Sequence, residues 1–170
     1  GRQMTVFEKN RRNIASKDPA VFEGLENCPG VEIEEAKAGG ATFRYKGIYF
    51  HSRYNPATEA DVQAVEMAGK KPDWVFLLGL GCGHLLSALV RKGFKKVIVF
   101  EPSTEILKGV LENIDLSPVF DEEKVFLAVD MHSAIERLRA ETEGFDNLLV
   151  YSTAPYKSVF PKELSDFTNR

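Results

Sequence analysis

The chain has 170 residues, 28% of them charged and 44% apolar, with a formal net charge of −3. That is enough for one domain with an appendage and a sizeable core, and too little for a second full domain. With Lys and Arg spread along the chain there is no footprint for DNA or RNA, no apolar run approaches the ~20 residues of a membrane helix, and no charged start followed by an apolar segment marks a signal peptide in these residues. Nucleic acid and membrane are therefore not expected as partners, and a cytoplasmic protein is. The only cysteines, Cys28 and Cys82, stand in unrelated contexts without metal-ligand spacing. No disulfide or metal site is expected from them.

Met4, Phe7 and Ile14, with Val6 beside them, predict a short amphipathic helix whose outer face carries Arg11, Arg12 and Asn13. A second helix is predicted after Asp18-Pro19, capped by the acid, with Phe22 and Leu25 on one face. These two helices read as a packing or dimerisation arm, so an oligomer is allowed. From Val31 to Phe50 the period falls to two: Val31 and Ile33 alternate with polar residues, Gly39-Gly40 breaks the run, and Lys46-Gly47 turns Phe43 and Tyr45 into Ile48-Tyr49-Phe50. A small antiparallel meander is expected there, capping one end of the following domain. Residues 1–55 thus form an N-terminal subdomain, and 56–170 the main one. At the junction, His51-Ser52-Arg53-Tyr54-Asn55-Pro56 predicts a strand-to-helix corner with Asn55 as the cap. His51, Arg53 and Tyr54 there either touch a ligand or satisfy carbonyls of the corner.

The central stretch runs from Trp74 to Glu101. An apolar strand, Trp74 to Leu78, enters the G-x-G-x-G turn of Gly79, Gly81 and Gly83, and an apolar helix follows; this is the first βα unit of a doubly wound, mostly parallel sheet. Such glycines admit positive φ and let a nucleotide approach backbone N–H groups. They equally let helix and strand pack closely. Glu101 ends the next strand, Val97 to Phe100, at about the spacing at which an acid meets ribose hydroxyls. Cys82, inside the loop, reads as packing. Beyond it, Ser103 caps a helix with Ile106, Leu107, Val110, Leu111 and Ile114 inward, and Val125 to Val129 is a third strand. Asp130 then caps a helix carrying Met131, Ile135 and Leu138. Asn147 to Ser152 is a fourth strand, and a last helix begins with Leu164 and Phe167. The sheet is abbreviated, or is completed by the meander or by further chain; the start at Gly1 and the polar end at Arg170 read as a fragment of a longer protein.

The glycine loop resembles that of S-adenosylmethionine-dependent methyltransferases, although Leu77 stands where that family usually has an acid. The resemblance implies a cofactor among Gly79, Gly81, Gly83 and Glu101, with Asp130 near the adenine. Thr153-Ala154-Pro155-Tyr156 lacks the polar residue and second proline of those methyltransferases that act on exocyclic amines. A broader likeness rests on Ser52-Arg53-Tyr54-Asn55-Pro56, Glu59-Ala60, Leu78 to Leu85, Val99-Phe100-Glu101-Pro102-Ser103, Pro155-Tyr156 and Phe160-Pro161. With these the chain resembles the N-terminal domain of the motility-associated factor family of bacterial flagellin glycosyltransferase-like proteins. The resemblance implies a parent protein that transfers nonulosonic acids from a cytidine nucleotide sugar to flagellin, with the chemistry in a C-terminal catalytic domain of the same chain. No catalytic residue is expected within these 170. Three readings follow, in this order: a Rossmann-like accessory domain with a nucleotide-like ligand, an autonomous S-adenosylmethionine-dependent methyltransferase, and a structural or interaction domain whose loop holds nothing.

Overall fold

Four apolar runs form the strands of a layered sheet in the computed structural model, which describes residues 2–168. Those starting at Trp74, Val97 and Val125 are buried throughout, while the fourth, Leu148–Tyr151, lies half-buried at the sheet edge with Val150 exposed. The strands β5 (Trp74–Leu78), β6 (Val97–Phe100), β7 (Val125–Ala128) and β8 (Leu148–Tyr151) form one parallel sheet in the order β7-β6-β5-β8. Phe76 is in register with Ile98 on one side and Val150 on the other. The order reverses between β5 and β8, so the crevice beyond their carboxyl ends is the topological switch point of the sheet.

Helices clothe both faces. Helix α3 (His84–Arg91) packs on α2 (Pro56–Ala68) and α5 (Ser117–Phe120), while α1 (Val6–Ala15) lies across α4 (Thr104–Asn113) and α5. Helix α6 (Met131–Glu141) packs on β6, β7 and α8 (Pro161–Thr168), with the short α7 (Ala154–Val159) between β8 and α8. The expected caps act as such: Asn55 accepts from Thr58 N–H, Ser103 from Ile106 N–H and Asp130 from Ser133 N–H.

The second predicted helix is absent. Residues Pro19–Phe22 make a 3₁₀ turn and Leu25–Asn27 another, divided by Gly24 at φ +75°. Asp18 does not cap that segment: its carboxylate accepts from Leu127 N–H on the edge strand β7 and pairs with Arg137. The meander is two separate ladders, β1 (Glu34–Glu35) with β2 (Ala41–Thr42) and β3 (Arg44–Tyr45) with β4 (Ile48–Tyr49). Val31 belongs to neither, because its N–H is held by Glu105 O where Gly30 and Gly109 bring two backbones together. Aromatic packing seats the second ladder on α7 and its C-cap: Phe50 meets Tyr156 edge-on, and Tyr45 stacks on Phe160.

The core runs across residue 55, since Ile14, Phe22, Leu25, Phe43 and Phe50 belong to the same buried cluster as the strands. The N-terminal arm is also held by polar groups. Buried Asn10 donates to Leu111 O (2.9 Å) and Ile114 O (2.8 Å) and accepts from Leu116 N–H (2.8 Å), supplying partners that the end of α4 lacks. Lys17 Nζ donates to Phe120 O, Glu122 O and Val125 O. Asn10→Leu strands three backbone groups at roughly 1–3 kcal/mol each, so a loss of about 4 kcal/mol is expected in urea denaturation. A loss below about 1 kcal/mol would mean that water replaces the amide.

Candidate functional site: a glycine loop closed by the protein's own side chains

The loop after β5 takes the conformation that its glycines permit: φ is +118° at Gly79, +55° at Gly81 and +84° at Gly83. What approaches each glycine is protein. A Cβ at Gly79 would lie 2.4 Å from the Tyr156 ring, one at Gly81 2.5 Å from His51 Nε2, and one at Gly83 2.6 Å from the Leu116 side chain. The space beside each missing Cβ is filled by side chains from three distant parts of the chain.

The N–H groups of the loop are engaged as completely. Gly79 N–H donates to Phe100 O (2.8 Å), Leu80 N–H to Glu101 Oε1 (3.0 Å) and Gly81 N–H to Tyr156 Oη (2.7 Å). Cys82 N–H donates to His51 Nε2 (2.9 Å) and Gly83 N–H to Leu80 O (3.0 Å). Five consecutive donors thus end on the protein itself.

Glu101 organises this closure. Its side chain is 1% exposed, with Oε2 accepting from Ser103 N–H and Oε1 from the Tyr156 hydroxyl as well as from Leu80 N–H. Where an acid facing ribose hydroxyls was expected, the carboxylate turns inward and ties β6, the loop and α7 together. Burial pushes its pKa up to about 7, against the pull of hydrogen bonds from Tyr156, Ser103, Leu80 and Gly81. The Tyr156 phenol is raised above its usual range by burial and by Glu101. His51 is pushed down to about 3 by burial and by His84, and as a neutral ring its Nε2 can accept from Cys82. It meets Cys82 at the backbone, not at the thiol, which burial and then Glu101 raise out of reach of ionisation.

The structure therefore gathers Gly79, Gly81, Gly83 and Glu101, and sets Asp130 apart. Asp130 caps α6 and borders a cleft of about 400 Å³ beside β7, next to the ion pair of Asp18 and Arg137. At the corner, Arg53 lies over the Tyr49 ring, 4.6 Å from its centroid, and Tyr54 points outward at 65% exposure. Tyr156 and the inward role of His51 escape a reading of the sequence. The glycine pattern says only that something comes close, not what.

Above the closed loop, at the switch point, remains a cavity of about 250 Å³ with Gly79, Leu80 and Tyr156 among its lining, together with Ser52, Glu59, Gln63, His84 and Thr153. Sites for drug-sized ligands and cofactors hold roughly 300–1,000 Å³.

No family model matches the sequence, and no curated protein does. Solved structures do match in fold. The MAf glycosyltransferase from Magnetospirillum magneticum AMB-1 superposes with a TM-score of 0.63 at 13% identity, over 96% of this chain and 34% of that one. The two share a fold. This chain spans about a third of the length of MAf. Looser superpositions include a proposed O-methyltransferase from Klebsiella pneumoniae (TM-score 0.43, 16% identity, 65% of this chain and 50% of that one). A proposed RNA methyltransferase from Pyrococcus horikoshii gives a TM-score of 0.41 at 20% identity, over 84% of this chain and 59% of that one.

Proposed function

We propose that this chain is a Rossmann-like accessory domain of a glycosyltransferase-like protein, a positioning module that performs no chemistry alone and whose glycine loop does not take a nucleotide. The supporting observation is that all five loop N–H groups, Gly79 to Gly83, are engaged inside the protein. A nucleotide or S-adenosylmethionine bound in the usual way needs such donors and the space above the glycines. Here Tyr156, His51 and Leu116 hold that space. The fold shared with the MAf glycosyltransferase supports the glycosyltransferase-like setting; in our reading the partner is a C-terminal catalytic domain of the same parent chain and the acceptor is flagellin.

The test is calorimetry with S-adenosylmethionine, S-adenosylhomocysteine and cytidine nucleotides at millimolar concentration. No binding heat is expected from any of them. Saturable binding abolished by Gly81→Val, in a variant shown to remain folded, would reinstate the loop as a nucleotide site.

A further inference from the structure

The cavity at the switch point has a hydrogen-bonding character of its own. On α2, Glu59 and Gln63 are four residues apart and so share one helix face. Glu59 uses Oε1 to accept from Ser52 N–H, which leaves Oε2, and among the described residues the Gln63 carboxamide has no hydrogen-bond partner. Across the crevice, the Thr153 hydroxyl makes no capping bond to α7. His84 Nε2 faces Ala41 O at 2.8 Å and must donate to it, so in the neutral ring Nδ1 is left as an acceptor. His51 Nε2 accepts from Cys82 N–H, so in the neutral ring Nδ1 carries the proton, and it has no acceptor among the described residues. The residues that line the cavity therefore carry spare acceptors on Glu59, Gln63 and His84 and spare donors on His51, Gln63 and Thr153.

Charge narrows the choice. Among the described residues no Lys or Arg lines the cavity, and the one acidic side chain on its wall is Glu59. A phosphate or carboxylate ligand is an anion and would meet the Glu59 carboxyl with no Lys or Arg of the lining to offset its charge. Hydroxyl groups both donate and accept, which suits a wall that mixes the two. The apolar lining of Phe50, Leu80, Leu85 and Pro155 suits the C–H faces of a ring. A volume of about 250 Å³ limits the ligand to one ring with its substituents.

We propose that the switch-point cavity between α2, β5 and α7 binds a small, neutral polyhydroxylated ring, a single sugar unit carrying no phosphate or carboxylate. The proposal rests on the reading of the glycine loop as closed, since a nucleotide on that loop would cover the cavity.

The experiment is proton–nitrogen correlation spectroscopy of the chain titrated with methyl α-D-glucopyranoside and, separately, with CMP, inorganic phosphate and ethanolamine. With the glucoside, saturable shifts are expected at the Gln63 side-chain amide and at the Leu80 and Thr153 backbone amides, and none there with the other three probes. Gln63→Leu and Thr153→Val should each weaken the glucoside by about tenfold, while the remaining amides keep their positions and so report an intact fold. No saturable shift with the glucoside, or equal shifts with phosphate or ethanolamine, would overturn the proposal alone. CMP shifting the Gly81, Cys82 and Gly83 amides would overturn the closed loop and this proposal with it.

Discussion

Glu101→Ala is expected to destabilise the domain by about 4 kcal/mol at pH 7, in urea denaturation followed by the fluorescence of Trp74, the single tryptophan, 3% exposed on β5. The substitution leaves Leu80 N–H, Ser103 N–H and the Tyr156 hydroxyl without their acceptor, each at roughly 1–3 kcal/mol when buried. Relief of burying a carboxylate offsets part of that sum. Glu101→Gln should fall between, because an amide keeps one oxygen but turns an NH₂ toward a donor that the carboxylate accepted from. The wild-type protein should carry a pH signature as well. Its native carboxyl, raised from 4.5 to about 7, binds more protons than the unfolded chain between those values, so stability falls as pH rises through that window. The slope should vanish in Glu101→Gln. Wild-type and Gln variant losing stability in parallel across the window would assign the effect to another group.

Gly79→Ala should be about as damaging, for a different reason. A residue with a Cβ is strained at φ +118°, and the new atom would sit 2.4 Å from the Tyr156 ring, so the ring must leave its place over the loop. Its departure removes the partner of Gly81 N–H and the clamp on Glu101 together. The expected loss is about 4 kcal/mol, combining backbone strain with the broken buried network. In a Tyr156→Ala background only the backbone strain remains, and Gly79→Ala should cost about 1–3 kcal/mol. The two substitutions therefore couple, as contacting residues do. Additive losses would show that Tyr156 does not close the loop.

The sheet and its helices were legible because each strand is apolar on both faces and each cap acts within three residues of itself. Asn55, Ser103 and Asp130 needed nothing from elsewhere in the chain. The segment after Pro19 departs from the helix its local sequence suggests because the expected cap, Asp18, accepts instead from the β7 edge, 109 residues away. Glu101 was ambiguous in principle: an acid at the end of β6 lies equally well for ribose hydroxyls or for the N–H groups of its own loop, and spacing cannot say which way it turns. Tyr156 and Gly81 are 75 residues apart, and His51 and Cys82 are 31 apart. Nothing local to either member of those pairs announces the other. Thus the glycines were visible as a demand for close approach, while what answers the demand was not.

Asn10 and Lys17 reach partners between 101 and 108 residues further along the chain. On the ribosome, the arm emerges about a hundred residues of synthesis before α4, α5 and β7, and cannot dock until they have followed it. Contacts so distant are also the slowest to close in refolding from denaturant. Through that interval Phe7, Ile14 and Phe22 lack the core they later join, so the arm stays apolar and undocked while the chain that will cover it is still being made.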